Sequence, residues 1–448
     1  MSDKLKYKHT TYLRKSDIEN IGDSIWTPTI KNWRDVIEDY IEISKERKNN
    51  KFAMFKLQMA LLGDIILLND TLKGYIKLVE VPEERAVKFP DKDITEVNVK
   101  FWKQEIKTIK IIIQALKDIG DGIAWRVLNY DRSLIYNMCV NSKDPGPVTL
   151  NNGLLTELNS FSDFTNDPEV SNFIFHAITN FLLISDLTVC YKNGEINFVE
   201  VKSGKNPRGK SWKKRLERQK LRVENIVNIG NKSQGESSNV QVNFKSLANK
   251  PKTLLSRINT QLKAVKNKDV VTRVYSSYQG ISIVNFANAK DNISVKDKID
   301  RLAKQLTINK NDVIIYPNSV KNLVFSPNRA PLSIHPFSSE DIANIQLGRY
   351  MIFYFFNVSQ FIREIEKKGW KVFDLIYKRK NNTDPSMFSV KKDMFNLKVS
   401  PGLTARAIYE GLAVESVIQI FEDSFRKSST KSDGYVFYGY EKEKFLWD

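Results

Sequence analysis

Residues 184–204 read Ile184-Ser-Asp186-Leu-Thr-Val-Cys190-Tyr-Lys-Asn-Gly194-Glu-Ile-Asn-Phe-Val-Glu200-Val-Lys202-Ser-Gly204. Two runs rich in Ile, Val and Phe, Leu182–Tyr191 and Ile196–Lys202, flank Lys192-Asn-Gly-Glu195. Asn-Gly between two such runs is a strong local signal for a β-hairpin. Asp186 then opens one strand. Glu200 and Lys202, two residues apart on the other, point to the same side of it. Asp186 and Glu200 stand at nearly equal distances from the turn, which sets them close to opposite each other.

Two carboxylates and an ammonium at one end of an apolar hairpin suit a particular chemistry. With the Val201 carbonyl, Asp186 and Glu200 make a hard oxygen site for Mg²⁺, with Mn²⁺ as an alternative. A metal there lowers the pKa of a bound water and neutralises phosphate charge. Lys202 would orient that water or stabilise the developing negative charge.

These residues resemble the PD-(D/E)XK phosphodiesterases, which include many restriction endonucleases and the RecB-type nuclease domains. The motif there is an Asp at the start of one strand and Glu/Asp-x-Lys on the next. It stands here as Ser185-Asp186 and Glu200-Val-Lys202, with Ser where Pro is usual. The resemblance covers about residues 154–290. It implies an α/β fold with a restriction-endonuclease-like core and a mixed sheet. It also implies a Glu on the helix before the Asp strand, for which Glu157 is favoured over Glu169, so the metal set is Asp186, Glu200 and Glu157. His176 would be an additional ligand in RecB-like domains, although a lone His among apolar residues is more often part of a core. Gln219 occupies the place of a RecB-like glutamine, but Val223 stands where a Tyr often follows.

The segment after the motif is basic. Between Lys205 and Arg222 the cations are Lys205, Arg208, Lys210, Lys213, Lys214, Arg215, Arg218, Lys220 and Arg222, against Glu217 alone. A helix beginning near Ser211 puts Lys214, Arg218 and Arg222 on one face. Lys205 and Lys210 would add phosphate contacts, and Trp212 a stacking surface. A solvated basic face is the plainer reading. Gly204–Ser211 also fits the Gly-x4-Gly-Lys-Ser pattern of a phosphate-cradling loop. Against this, the preceding strand carries Glu200 and Lys202, where a central parallel strand is usually apolar. That strand is also the second arm of a hairpin, and the following helix opens Trp-Lys-Lys-Arg.

The remainder of the chain frames this segment. Its 448 residues suggest roughly three domains. Trp33–Lys48 and Phe52–Leu68 read as helices. Trp102, Ile106, Ile109, Ile113 and Leu116 recur at helical spacing, and Gly120–Gly122 is expected to end that helix. Val81–Val99, with Pro82 and Pro90, reads as a loop or small hairpin. The turn cluster Lys143–Asn152 marks a boundary. The expected division is a mainly helical domain at 1–150, the nuclease-like domain at 151–330 and a mixed, mainly helical region at 331–448. Leu154–Phe164 and Pro168–Phe181 read as helices, and Gly230–Lys252 as a loop. Arg273–Phe286, Val313–Tyr316 and Asn322–Phe325 read as strands. Ser338–Asp341 starts a helix expected to run through Tyr350–Phe356 toward Glu366, and Leu403–Phe425 forms another.

Composition excludes collagen-like, disordered and disulfide-scaffold classes: 41% apolar, 27% charged and 11% aromatic. The excess of Lys and Arg over Asp and Glu, 70 against 52, is +18 and favours polyanionic partners. A Lys- and Asn-rich proteome would give the same excess. No stretch reaches about 18 uninterrupted apolar residues, and Phe52–Leu68 is broken by Lys56 and Asp64, so no membrane span is expected. Cys139 and Cys190 form no ligand-like pair, and with His9, His176 and His335 the only histidines, a zinc site is not expected. A cytoplasmic protein with reduced thiols follows.

The expected function is metal-dependent hydrolysis of phosphodiester bonds in nucleic acid, with DNA favoured. The resemblance adds a role in bacterial defence against foreign DNA, with a homo-oligomer or a defence-system protein as further partner. The alternatives are a nucleic-acid-binding protein with an inactive core and a scaffold or sensor subunit.

Overall fold

Proline is well placed in the first turn of a helix, where its missing N–H leaves no bond unmade, and Pro28 is the first residue of the helix Pro28–Glu46. The computed structural model describes residues 28–85, 92–139, 148, 150, 152–182, 185–199, 234–237, 240–243, 252–288, 292–306, 313–318, 330–373, 388–393, 395–399, 403, 406–407 and 410–427. The fold is mixed α/β. It opens with helices α1 (Pro28–Glu46), α2 (Lys51–Arg85), α3 (Lys92–Val127), α4 (Arg132–Cys139) and α5 (Asn152–Asn166). Strands β1 (Val170–Phe175), β2 (Leu187–Tyr191) and β3 (Ile196–Val199) form a small sheet in that order. A hairpin β4 (Gln234–Ser237)–β5 (Val240–Asn243) follows, then α6 (Leu255–Val265).

The next sheet has the order β6-β7-β9-β8. It is built from β6 (Val270–Val274), β7 (Gln279–Asn285), β8 (Val313–Asn318) and β9 (Tyr350–Asn357). Helix α7 (Asn292–Leu306) packs against it, and α8 (Ser339–Gln346) leads into β9. Helix α9 (Val358–Lys367), the sheet β10 (Lys371–Phe373), β11 (Phe388–Lys392) and β12 (Phe395–Val399), and helix α10 (Val414–Lys427) complete the described chain. Every strand pairing among the described residues is antiparallel, where a mixed sheet was expected. One apolar cluster extends from Ile30 to Phe421 and takes side chains from all three expected regions.

Several expectations need correction, each for a physical reason. Tyr350–Phe356 is a strand and not part of a helix, buried on both faces between β7 and β8. A run apolar on every residue carries neither a helix nor a strand period, so pattern alone could not decide it. Gly348, at φ +79°, separates it from α8, whose start at Ser338 is as expected: the Ser338 hydroxyl accepts from the Asp341 N–H. Pro168–Phe181 is likewise a strand followed by a 3-10 turn, His176–Ile178. Gln58 of α2 holds its outer edge, donating to the Phe173 carbonyl (3.0 Å) and accepting from the Phe175 N–H (2.8 Å). That side chain supplies the hydrogen bonds a neighbouring strand would make, which local sequence cannot reveal.

Helix α2 runs through Pro82 to Arg85 and α3 begins at Lys92, so the loop expected over Val81–Val99 is mostly helix. The Gly230–Lys252 stretch contains the β4–β5 hairpin, and helix α10 starts at Val414, after Gly411 at φ +63°. Asn322–Phe325 lies outside the described residues. Lys51–Glu80 is long and apolar enough, by length and composition, to cross a membrane. In this fold Leu57, Leu61, Leu62, Ile65 and Leu68 bury one side of it against α3 and β1, the position of a core helix.

Candidate active site at the Asp186 end of the hairpin

The hairpin read from the sequence is present. Leu187 pairs with Val199 and Cys190 with Ile196, and Gly194 takes φ +88° in the turn, a conformation that favours glycine. The Tyr191 N–H donates to the Glu195 carbonyl (2.9 Å) and closes the loop. Strand β2 is central, with β1 on one side and β3 on the other.

Asp186 sits immediately before β2, and its backbone is tied to both neighbours. Its N–H donates to the Val199 carbonyl and its carbonyl accepts from the His176 N–H, each at 3.1 Å. The residue is half-buried. A carboxylate at the end of a strand bonded on both sides has little backbone freedom, which suits a group that must hold position.

His176 stands beside it in a buried pocket. Its Nδ1 lies 2.7 Å from the Ser185 carbonyl and its Nε2 2.7 Å from the Thr188 hydroxyl. A carbonyl only accepts, so Nδ1 carries the proton and Nε2 accepts from Thr188. Both ring nitrogens are engaged inside the fold, and burial pushes the imidazole down to about 3. His176 braces the Asp186 strand as a neutral ring.

The segment leading to Asp186 is anchored to α3. The Asn180 N–H and side-chain amide donate to the two oxygens of Asp121 (2.7 and 2.8 Å). Three residues earlier on the same helix, Asp118 accepts from the N–H groups of Leu332 and Ser333 and from the Gln346 amide (3.0, 2.9 and 2.7 Å). Gly120 lies between them because the Ile178 carbonyl passes there: a Cβ on Gly120 would be 2.1 Å from that oxygen. Gly122 faces Ser333 in the same way, at 2.3 Å from its hydroxyl. The glycines expected to end the helix therefore admit close neighbours, and α3 continues to Val127. Two acids and two glycines in Asp118-Ile-Gly-Asp121-Gly, inside an apolar helix, are the sequence signal of these close approaches.

Glu157 is on α5, one turn before Phe161, whose ring packs on Phe175 at the Asp186 end of β1 (centroids 4.5 Å apart); the Glu157 side chain is outside the described set. Glu169 is exposed, and its carbonyl accepts from the Lys192 N–H at the turn end of the hairpin. It sits at the far end of the sheet from Asp186, since β1 and β2 run antiparallel. Glu200, Lys202, Lys205, Lys210, Trp212, Lys214, Arg218, Gln219 and Arg222, with the phosphate-loop-like segment 204–211, lie outside the described residues. Among the described residues no three His, Cys, Asp or Glu side chains come together.

Family models, curated proteins and solved structures were compared with the chain, and none matches.

The two buried groups bracketing this region set a pH dependence. Burial pushes Asp121 up to about 8 from 3.8, outweighing the Asn180 hydrogen bonds that favour its charged form. The folded chain then keeps a proton that the unfolded chain releases, so stability falls as pH rises from 3.8 to about 8. His176 acts oppositely: the unfolded chain takes up a proton below 6.5 that the folded chain refuses until about 3. The two slopes oppose each other between 3.8 and 6.5, leaving Asp121 alone above that window. Urea midpoints are expected to fall from pH 6.5 to 8, and the fall should flatten in Asp121→Asn. An equal slope in both proteins would remove Asp121 as its source.

Proposed function

We propose that the chain is a metal-dependent nuclease with a restriction-endonuclease-like core, hydrolysing phosphodiester bonds in nucleic acid, DNA in the first place. The observation that carries this reading is the hairpin register. Leu187 pairs with Val199 at the Asp186 end of the hairpin; one further pair in that register would bring Glu200 opposite Asp186, and Lys202 would follow two residues on. Asp186, Glu200 and the Val201 carbonyl would then form an all-oxygen donor set, the kind that Mg²⁺ or Mn²⁺ prefers. Glu157 would complete it, since its helix passes over the Asp186 end of β1. A metal held there would supply a bound water of lowered pKa and screening of phosphate charge.

The chain's own residues carry the rest. Asp186 is fixed by its backbone bonds to Val199 and His176. Neutral His176 adds no charge beside it. Lys202 would orient the attacking water and stabilise negative charge growing on the phosphate. The cations from Lys205 to Arg222 would hold the backbone without reading sequence. A role in defence against foreign DNA belongs to the same proposal.

The test incubates the purified chain with supercoiled plasmid, linear duplex, single-stranded DNA and RNA, with Mg²⁺, Mn²⁺ or EDTA. Cleavage should require metal and fall by about two orders of magnitude or more in Lys202→Ala and in Asp186→Asn. Cleavage that persists in both variants, or a wild type that cuts none of the four substrates, would sink the reading.

A further inference from the structure

Helix α6 and the β6–β7 hairpin together build a basic surface among the described residues. Helix α6 buries Leu255, Ile258, Gln261, Leu262 and Val265 against β6 and β7, and turns Arg257, Thr260 and Lys263 to solvent. The β6–β7 hairpin brings Arg273 and Tyr275 alongside. The Arg257 guanidinium lies over the Tyr275 ring, 5.6 Å from its centroid, and the Tyr275 hydroxyl donates to the Arg257 carbonyl at 3.4 Å. Arg257 and Arg273 are the charges that act on that hydroxyl.

Neither element carries an acid. No Asp or Glu occurs between Glu236 and Asp269. Of the bordering acids, Asp269 is held by Lys298 (2.9 Å) and Glu340 by Lys266 (2.6 Å). Among the described residues Arg257, Lys263 and Arg273 make no ion pair. A surface helix usually mixes both signs; here Arg257 and Arg273 both act on the Tyr275 hydroxyl and Lys263 adds a third cation on the exposed side of α6, which leaves positive charge uncompensated. Guanidinium groups match phosphate oxygens in geometry as well as charge. Stacking on an aromatic ring holds one of them at reduced entropic cost.

We propose that the face formed by α6 and the β6–β7 hairpin binds the phosphate backbone of nucleic acid, with Arg257, Lys263 and Arg273 as the phosphate contacts and Tyr275 as the residue that positions Arg257. An anionic membrane is the less favoured occupant, because Val274 is the one large apolar side chain exposed on these elements among the described residues. The proposal goes beyond the nuclease reading and does not need it, since binding is read without metal.

The test measures fluorescence anisotropy of a labelled single strand and of a labelled duplex in EDTA, at salt between about 50 and 200 mM. The variant is Arg257→Gln/Lys263→Gln/Arg273→Gln. The control is Lys100→Gln/Lys103→Gln/Lys107→Gln, which removes the same charge from exposed positions of α3. The α6 variant should bind about ten-fold more weakly or worse, with the slope of log affinity against log salt reduced by about 2 for the single strand. The control should lose less than about three-fold. Tyr275→Ala should weaken binding several-fold and Tyr275→Phe should not, because the ring and not the hydroxyl carries Arg257. Equal losses in the α6 variant and the control would overturn the proposal, because net charge alone would explain them. A wild type that fails to bind at the lowest salt would overturn it, as would an α6 variant that keeps its DNA affinity but no longer sediments with phosphatidylserine vesicles.

Discussion

Gly120→Ala is expected to destabilise the chain by about 3 kcal/mol or more, although alanine is the better helix former. The added Cβ would stand 2.1 Å from the Ile178 carbonyl oxygen and 2.8 Å from its carbon. Both are backbone atoms in the turn that carries His176, so no side-chain rotation relieves the clash. Helix α3 or the His176–Ile178 turn must move. The turn is held on the other side by the Thr179 N–H and hydroxyl, both donating to the His176 carbonyl, and by the Asn180–Asp121 pair. A shift there would displace His176 and with it the backbone bond to Asp186. The same substitution has an internal control. Gly63 and Gly74 on α2 have nothing within 4 Å of a built Cβ. Each is expected to gain up to about 1 kcal/mol as Ala, from helix propensity and the stiffer unfolded chain. Urea unfolding of the three variants checks the sign at each position. A Gly120→Ala midpoint at or above that of the parent would show that α3 is not packed against this turn.

Glu410→Gln is expected to cost about 3–5 kcal/mol, the range for breaking a buried ion pair on one side. Glu410 is 1% exposed and receives Arg132 through Nη2 and Arg406 through Nε, each at 2.9 Å. The Ala330 N–H also donates to it at 3.3 Å. Three distant stretches, at 132, 330 and 406–410, therefore meet on one carboxylate. Burial alone would raise its pKa, but the two guanidinium groups dominate and hold it at about 2. The sign follows directly: the stabilisation is complete above the unfolded value near 4.5 and is lost as pH falls toward 2. The Gln variant should lose this acid limb along with its stability. Replacing all three residues by Met should recover much of the loss, because the charges would no longer be buried. Chemical unfolding at pH 7 and pH 4 measures both effects. A Glu410→Gln chain within 1 kcal/mol of the parent would contradict the buried network.

The hairpin was legible because its information is local. Asn193-Gly194 sets the turn and the Ile, Val and Phe runs set the strands, so Asp186 was placed correctly at the mouth of β2. The capped start of α8 at Ser338 and the apolar stripe through Ile109 and Leu116 were legible for the same reason. The Tyr350–Phe356 strand was not, because burial on both faces erases the period that separates helix from strand. The Val170–Phe175 strand was not legible either, because its outer edge is bonded by Gln58, more than a hundred residues away. Gly120 and Gly122 show the same limit: glycine in a sequence announces a special backbone or a close neighbour, and only the neighbour says which. Sequence by itself determined the hairpin, the place of Asp186 just before its first strand and the positive charge of the chain, all short-range or additive properties. Tertiary structure alone decided which carboxylates are structural, since Asp118, Asp121 and Glu410 acquire their roles from backbone and guanidinium groups brought to them by distant parts of the chain.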